Sequence, residues 1–382
     1  MKIRPNEVED WGVLYEYTSK YNLGETCVDS ISVNQFCTLA SLASEKILKE
    51  FADMPLHYGD LEGRPALLKG IAGLYQTVSP EDIFSAHGAS GANQLAFSSL
   101  VDQGTHVVTI MPTYSQLYAF PECFGGDVSI LHLKKENDFL PDLDELKKLV
   151  RADTKLIVIN NPHNPSGNLL PNSMLQDIVK IAKEVGAYLL CDETYRHLNQ
   201  GDEYTESIVD LYDKGISVSS MTKVFSLAGL RLGWVVAKDP ELKKALKNFR
   251  EYFMISGSVF DEYLAGIVLE HKDILIKRNR NIIRENLNIV CDWIEQQPHI
   301  TMPMRPKAAT ATMIYYDYDV DSYTMCREMY EKERIFIYPG ECFGLEKNSI
   351  RLSYACGKEE LKGGLEAVTR FLRNAAYPLM SK

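Results

Sequence analysis

The chain lacks the features that would place it in a membrane or in an oxidising compartment. No apolar run approaches the length of a bilayer span, and the N-terminus, Met-Lys-Ile-Arg-Pro-Asn-Glu, has no signal-peptide core. The eight cysteines are scattered, without a Cys-x-x-Cys pair or a nearby histidine cluster, so neither a zinc site nor a disulfide framework is indicated. We therefore predict a cytoplasmic protein that holds no metal.

An excess of basic residues is also missing. The formal net charge is -11, whereas duplex binding requires a basic surface that displaces counterions, so nucleic acid is not the expected partner. A hydrophobic content of 45% and a charged content of 24% are ordinary for a globular protein, and no repeat or low-complexity segment is visible. At 382 residues the chain is long enough for one large and one small domain around a shared cleft.

From about residue 80 the pattern becomes strand, turn and helix in repetition, which predicts an α/β fold. The nearly continuous apolar run at 156–160 is typical of a central parallel strand. Residues 1 to about 45 read as irregular, and apolar spacing predicts a helix over 39–51. Short strands return at 310–316 and 335–338, and a closing helix is expected over 358–376.

The stretch from Ser219 to Trp234 combines a lysine with hydroxyl residues and an arginine. Lys223 follows residues 216–218, which predict a short buried strand, and desolvation at such a place lowers the pKa of an amine and favours its attack on a carbonyl. Ser220 and Arg231 would supply a hydroxyl and a permanent cation for an anion beside that amine. A single lysine is more often a solvated surface charge. A phosphate next to an imine-forming lysine nevertheless suggests pyridoxal 5'-phosphate (PLP).

Ser-x-x-Lys followed by Gly-x-Arg-x-Gly resembles the cofactor-lysine motif of the class I/II aminotransferases, which are PLP enzymes of fold type I. Residues 161–167, Asn-Pro-His-Asn-Pro-Ser-Gly, are similar to the family's Asn-Pro-x-Asn-Pro-Thr/Ser-Gly signature, and residues 192–195 are similar to its Asp-Glu-x-Tyr motif. The resemblance runs from about Tyr21 to the end of the chain, with the motifs in the family's order.

This resemblance implies a large domain with a mostly parallel seven-stranded sheet between helices, and a smaller α+β domain. We expect residues 1–45 to join the small domain, residues 46–275 to form the large PLP-binding domain, and residues 276–382 to form the C-terminal small domain.

The resemblance also gives the matching residues their roles around the cofactor. Lys223 would hold PLP as an aldimine, and Asp192 would keep the pyridine nitrogen protonated so that the ring accepts electrons. Tyr195 and Asn164 would contact the phenolic oxygen, and Tyr114 would stack on the pyridine face. The expected phosphate-binding positions are Gly88, Ala89, Ser90, Ser220 and Arg231, three of them at the start of a predicted helix.

Two further assignments concern the substrate and a second subunit. Arg351 would bind the substrate α-carboxylate beside Asn164, because a planar guanidinium matches a carboxylate. Tyr58, in the segment Tyr-Gly-x-x-x-Gly, would reach the cofactor phosphate of a neighbouring subunit, which implies a homodimer. A surface ion pair for Arg351 and simple packing for Tyr58 are the alternatives.

The N-terminal loop departs from the best-known aminotransferases. Glu25 and Asp29 lie where the family places segments that border the substrate. If they enter the pocket, a basic amino acid such as arginine is the expected substrate, and the chain would resemble the capreomycidine-synthase type of relative. Exposed loop acids are the other interpretation. No second arginine for a dicarboxylate substrate can be named.

The predicted activity is therefore transfer of an amino group between an L-amino acid and a 2-oxo acid. Lys223 would move the substrate Cα proton as general base and acid. The same residues serve β-elimination, decarboxylation, oxidation and cyclisation, so a lyase, an oxidase or a cyclase is the alternative. A non-catalytic effector-sensing module of a transcription regulator is a further alternative, which the acidic composition disfavours.

Overall fold

Strands and helices alternate along most of the chain. The structure, a computed structural model, describes residues 2–375 and 377–380. The helices are α1 Glu7–Tyr15, α2 Val33–Ala40, α3 Ser44–Asp53, α4 Pro65–Ala72, α5 Gly88–Leu100, α6 Gln116–Cys123, α7 Leu143–Leu149, α8 Asn172–Val185, α9 Ile208–Leu211, α10 Pro240–Phe253, α11 Val259–Glu270, α12 Lys272–Glu295, α13 Ser322–Glu333 and α14 Lys358–Asn374. The strands are β1 Tyr21–Asn22, β2 Ile83–His87, β3 His106–Met111, β4 Asp127–His132, β5 Thr154–Asn160, β6 Tyr188–Asp192, β7 Gly215–Ser220, β8 Leu232–Ala237, β9 Ile300–Thr301, β10 Ala311–Tyr316, β11 Ile335–Phe336, β12 Tyr338–Pro339 and β13 Ser349–Ser353.

Seven strands form the central sheet, in the order β2-β8-β7-β6-β5-β3-β4. The five neighbouring strands β7, β6, β5, β3 and β4 pair in parallel, whereas β8 is antiparallel to both of its neighbours, β7 and β2. Six strands therefore end at one edge of the sheet, and β8 begins at that edge. The expected mostly parallel seven-stranded sheet is confirmed.

Both faces of this sheet are covered, which explains the apolar run of β5. Leu156 and Val158 pack into a cluster that contains Phe97 of α5, whereas Ile157 joins the larger cluster that contains Ile178 of α8. Successive side chains of a strand point to opposite faces, so a strand between two helical layers must be apolar at every position.

Two smaller sheets complete the fold. Strands β12-β13-β10-β9 form an antiparallel sheet, and β1 pairs in parallel with β11. The single strand predicted over 335–338 is wrong, because β11 and β12 pair in different sheets and the carbonyl of Ile337 between them accepts a hydrogen bond from Trp11 Nε1 at 3.0 Å. The closing helix ends at Asn374 rather than at Ala376, which lies outside the described residues.

The prediction of an irregular N-terminal segment is also wrong, since α1 and α2 lie within it. A capping box begins α2: Gln35 N donates to Ser32 Oγ at 3.2 Å, and Ser32 N donates to Gln35 Oε1 at 2.8 Å. Ser-x-x-Gln is a sequence signal for a helix start, so this helix could have been predicted. The helix expected over 39–51 is instead divided at Ser41, whose φ of 55° is left-handed.

The proposed domain limits stay predictions. The pairing of β1 with β11 connects the N-terminal segment to the C-terminal part of the chain, as expected for a segment that joins the small domain. The proposed limit after residue 275 falls inside α12, which continues without a break to Glu295. No helix among residues 2–375 and 377–380 is both long and apolar enough to cross a bilayer.

A buried ion pair supports the end of β6. Glu193 directly follows Asp192, and its carboxylate lies 3.0 Å from Nε of Arg196, with both side chains almost fully buried. Ser207 and Ser217 donate to the same carboxylate at distances of 2.8 to 2.9 Å. A buried charge is stable only when it is paired and hydrogen-bonded, so this cluster holds the backbone that carries Asp192.

Arg196→Met should lower the free energy of unfolding by about 3–5 kcal/mol, because it leaves the Glu193 charge buried without its partner. The double variant Glu193→Gln/Arg196→Met should regain most of this loss, since no charge is then buried. Guanidinium unfolding of the two variants and the unmodified protein measures both effects. A double variant no more stable than Arg196→Met would contradict this interpretation.

Candidate active site

Polar residues gather at the edge where the parallel strands end. Asp192 is the last residue of β6, Ser220 the last of β7, and Asn160 the last of β5. Arg231 precedes β8, and Gly88 begins α5 directly after β2, at the same edge. Ligands bind at this edge in open α/β sheets, because helix N-termini and loops meet there.

A cavity of about 480 Å³ opens at this edge. The predicted site residues that line it are Glu25, Ala89, Ser90, Tyr114, Asn164, Asp192, Tyr195, Ser220, Lys223, Arg231 and Arg351. The structure therefore brings residues from widely separated parts of the sequence around one space.

Two predicted residues lie outside the lining of this cavity. Gly88 lies behind Arg231: a Cβ placed on it would be 2.8 Å from Arg231 Nη2, and its φ of +64° favours glycine. Tyr58 is 73% exposed and lines a different cavity of about 680 Å³ beside α3 and α11. Within one chain, Tyr58 does not meet Lys223.

One end of the cavity fits a phosphate. The first N–H groups of α5 have no partner within the helix, and Ala89 and Ser90 of this first turn line the cavity. Arg231 donates from Nη1 to the carbonyl of Ala228 at 3.2 Å, and it forms no salt bridge with any described carboxylate. A helix N-terminus beside an unneutralised guanidinium favours a bound anion.

Asp192 lies deeper, and its carboxylate is held in place. Oδ1 accepts from Thr194 N at 3.1 Å and from Thr194 Oγ1 at 2.5 Å, and Oδ2 accepts from Asn93 Nδ2 at 3.3 Å. Burial raises the pKa of Asp192, while these donors and the charge of Lys223 lower it. A cationic ligand nitrogen next to this carboxylate would favour its charged form.

Asn164 and Tyr195 line the same cavity as Asp192. Asn164 Oδ1 accepts from Arg351 Nη1 at 3.2 Å, and no described residue accepts from its Nδ2, which can therefore donate to a ligand. The hydroxyl of buried Tyr195 donates to Thr26 Oγ1 at 2.9 Å. The Tyr195 hydroxyl thus has a partner within the chain, a contact that the sequence did not indicate.

His163 joins the turn that carries Asn164 to the turn that carries Tyr114. Its Nε2 donates to the carbonyl of Pro112 at 2.8 Å, and its Nδ1 accepts from Ser166 Oγ at 2.7 Å. Burial lowers the pKa of His163 to about 4, which keeps this ring neutral. The neutral ring thereby positions two loops that border the cavity.

Lys223 follows β7 in an irregular loop and is half-buried at the cavity. Among the described residues its amine has neither a hydrogen-bond acceptor nor an ion-pair partner. An amine without a partner inside a polar cavity is available for covalent chemistry with a carbonyl.

Arg351 lies at the centre of β13 and is only 4% exposed. Nη2 donates to the carbonyl of Gly24 at 2.7 Å, and Nε has no partner. The guanidinium carbon lies 4.4 Å from the ring centre of Tyr338 and 4.9 Å from that of Phe343. No carboxylate of the described chain forms a salt bridge with this buried cation, so the site favours a ligand anion.

The two acids of the N-terminal loop have different surroundings. Glu25 lines the cavity and is exposed at its mouth, where partial burial raises its pKa and Lys223 lowers it. Asp29 instead pairs with Arg278, Oδ2 to Nη2 at 2.6 Å, and does not line the cavity. The hypothesis that both acids enter the pocket is therefore wrong for Asp29, which has its own cation.

Several cavity residues were missed by sequence reasoning. They are Val8, Glu9, Glu16, Tyr17, Gly24, Thr26, Asn160, Thr194, Thr222, Ala228 and Tyr338. Five of these precede residue 25 and reach the site only because α1 and β1 pack near it, which no local pattern indicates. Asn93, which donates to Asp192, was also missed. Its position in the first turns of the helix that begins at Gly88 was a weak indication that it lies near the site.

The family of class I and II aminotransferases matches residues 30–368. The chain belongs to this family. A solved structure of a PLP-dependent aminotransferase from Streptococcus suis 89-1591 is 36% identical, covers 100% of both chains and has a TM-score of 0.94. Capreomycidine synthase of Streptomyces vinaceus is 27% identical over 370 residues, which are 96% of this chain and 93% of that protein. A solved PLP-dependent cyclase, 23% identical and covering 98% of both chains, shares the fold with a TM-score of 0.89.

As a member of this family, the chain is a PLP-dependent enzyme of fold type I. The residues present fit this cofactor. The α5 N-terminus with Arg231 suits a phosphate, buried Asp192 suits a protonated ring nitrogen, and the free amine of Lys223 suits an aldehyde.

Close contact between two backbones shapes the phosphate end. A Cβ placed on Gly233 would lie 2.3 Å from Gly88 C and 2.7 Å from Ala89 N. Any side chain at position 233 must therefore push the start of α5 away from β8.

Gly233→Ala should weaken PLP binding at least about tenfold, because overpacking of this kind costs about 1–3 kcal/mol and displaces the phosphate-binding turn. Gly229→Ala is the matched control, since a Cβ there meets nothing within 4 Å. Equilibrium binding of PLP, followed by absorbance, measures the difference. Equal affinities in the two variants would show that the α5 start is not part of the phosphate site.

Proposed function

We propose that this enzyme is an aminotransferase that moves an amino group between an L-amino acid and a 2-oxo acid. One observation carries the proposal: the partnerless amine of Lys223 shares a single cavity with the buried carboxylate of Asp192 and the buried guanidinium of Arg351. Transamination of an amino acid requires an amine that binds the cofactor, an anion beside the cofactor ring nitrogen and a cation for the substrate carboxylate.

In this proposal one group of cavity residues binds the cofactor. The turn at Gly88, Ala89 and Ser90 binds the cofactor phosphate together with Ser220 and Arg231. Asp192 would hold the ring nitrogen, Tyr114 would cover the ring face, and Asn164 and Tyr195 would contact the phenolic oxygen. For that contact the Tyr195 hydroxyl must exchange its donation to Thr26 for one to the cofactor. PLP supplies an electron sink for the bonds of the substrate Cα.

The remaining residues bind the substrate and move its proton. Arg351 binds the α-carboxylate and so orients the Cα–H bond, with Asn164 alongside. Lys223 Nζ takes the Cα proton and returns it at C4′ of the cofactor, as general base and then as general acid.

Other reactions remain as second candidates. Two similar proteins are by name a capreomycidine synthase and a PLP-dependent cyclase, which favours a cyclase as the first alternative, followed by a lyase or an oxidase. The fate of the substrate after Cα deprotonation depends on its side chain and on the residues that contact it. A non-catalytic regulatory module and a cytoplasmic location are predictions that turnover assays and cell fractionation would test.

The amine of Lys223 should hold PLP covalently. We expect a visible absorption band that the amino donor bleaches, with release of one 2-oxo acid per site. Lys223→Ala should lose the band and more than about 10³-fold in activity, because it removes both the covalent attachment and the general base. Lys244→Ala, on the exposed face of α10, is the control.

Borohydride reduction followed by peptide mass spectrometry identifies the modified lysine. Modification at another lysine would overturn the assignment of Lys223. Formation of ammonia, peroxide or a cyclised product without an aminated cofactor would instead identify a lyase, an oxidase or a cyclase.

We also propose a homodimer in which Tyr58 reaches the neighbouring site. Tyr58 is exposed and lies near other exposed apolar side chains of the same loop, Leu56 at 79% and Leu61 at 62%. Tyr252 of α10 is 92% exposed. Exposed apolar residues in this number favour an interface.

Mixing Tyr58→Phe chains with Lys223→Ala chains tests the shared site. If Tyr58 acts in its neighbour's site, half of the dimers are hybrids with one intact site, so activity should reach about one quarter of the unmodified level. The unmixed variants are the controls. Activity that stays at the level of the unmixed variants would place Tyr58 outside the neighbouring site.

A further inference from the structure

Three carboxylates line the mouth of the cavity: Glu9 on α1, Glu16 just after α1, and Glu25 after β1. None of them forms an ion pair with a described lysine or arginine. The cations that line the cavity are Lys223, Arg231 and Arg351. The proposed reaction assigns each of these cations to another group, so the acidic mouth has no cation of its own.

The first helix, which carries Glu9 and ends directly before Glu16, is held on two sides. Ser115 Oγ donates to Asn6 Oδ1 at 3.1 Å, on the side of the central sheet. Trp11 Nε1 donates to the carbonyl of Ile337 at 3.0 Å, on the side of the smaller sheets. Because α1 is tied at both sides, its acids are positioned by the fold rather than free on a tail.

Geometry places Glu16 close to the expected substrate position. A Cβ placed on Gly12 would lie 2.9 Å from Tyr338 Oη and 3.6 Å from Glu16 Oε2, so both groups border the same point of α1 without a hydrogen bond between them among the described residues. The ring of the same tyrosine packs on Arg351, with 4.4 Å between the ring centre and the guanidinium carbon. Glu16 thus lies near the hydroxyl end of the tyrosine on whose ring face Arg351 packs.

The acids have few partners within the chain. Tyr114 Oη donates to Glu9 Oε1 at 3.2 Å, Asn22 Nδ2 lies at 3.5 Å from Glu16 Oε1, and Glu25 has no side-chain hydrogen bond to a described residue. Burial raises the pKa of Glu25, the charge of Lys223 lowers it, and the charges of Glu16 and Glu360 raise it further. A ligand cation would relieve this repulsion.

A second observation indicates that the same cavity binds an anion. Arg351 is 4% exposed, its Nε has no partner, and it faces this space. A buried guanidinium without a carboxylate and an acidic mouth beyond Tyr338 define a ligand with a negative group at one end and a positive group at the other.

We propose that the substrate is a basic L-amino acid, whose α-carboxylate binds Arg351 and whose side-chain cation contacts Glu9, Glu16 and Glu25. This inference rests on the proposed function, which supplies the position of the α-carboxylate. An acidic side chain would meet the three carboxylates and no free cation, so aspartate and glutamate are excluded by like-charge repulsion.

Pairs of amino acids that differ in side-chain charge test this proposal. L-Arginine should exceed L-citrulline, its neutral isostere, by at least about tenfold in kcat/KM, and L-lysine should exceed L-norleucine similarly. Each single variant, Glu9→Gln, Glu16→Gln or Glu25→Gln, should reduce the preference by up to about fivefold, as expected for exposed charge pairs. The triple variant should bring the members of each pair within about twofold.

Salt provides an independent readout. Raising the ionic strength from about 0.1 M to about 1 M shortens the Debye length from about 10 Å to about 3 Å, so the preference for the cationic member should shrink. Glu331→Gln is the matched control, because Glu331 is exposed on α13 and does not line the cavity.

Calorimetric binding to the PLP-loaded Lys223→Ala variant separates this inference from the proposed function. Tighter binding of L-arginine than of L-citrulline, lost in a Lys223→Ala variant that also carries the three glutamine substitutions, supports the acidic mouth even if no oxo acid is formed. Equal binding of the two, or a preference unchanged by the three substitutions, overturns the inference, even if transamination of neutral amino acids is observed.

Discussion

The guanidinium of Arg351 joins three distant parts of the chain. It donates to the carbonyl of Gly24 in the N-terminal segment and to Asn164 at the end of the central sheet, while its own strand belongs to a smaller sheet. Both acceptors are neutral oxygens, so the buried positive charge is hydrogen-bonded but not neutralised. The cavity therefore contains a cation without an anionic partner among the described residues, and in our proposal the substrate supplies that anion.

The electrostatics of the site follow from the direction of the strands. Six strands end at one edge, which brings Asp192, Ser220 and the start of α5 together although they are far apart in the sequence. Lys223, Arg231 and Arg351 line the cavity together with Glu9, Glu16 and Glu25, which form no ion pair with a described lysine or arginine. We propose that these charges of both signs orient a zwitterionic ligand.

Sequence reasoning succeeded where a motif is local. The turn around Asn164, the Asp192 motif and the Lys223 stretch each contain their own spacing and turn chemistry, and the structure places all three at one cavity. It failed in the N-terminal segment, where α1 and α2 were expected to be irregular. These helices are short, and α1 is held by distant contacts such as Trp11 to Ile337 that no sequence window contains.

The sequence by itself indicated the α/β class, because apolar periodicity is a local property. The seven-stranded sheet and the expected site residues followed from the resemblance of its local motifs to the aminotransferase family. Only the tertiary structure decided which acids line the cavity. Glu25 lines the cavity, while Asp29, four positions later, is neutralised by Arg278. Glu9 and Glu16 join Glu25 because α1 packs across the cavity mouth, and long-range packing of this kind is set by the whole fold rather than by neighbouring residues.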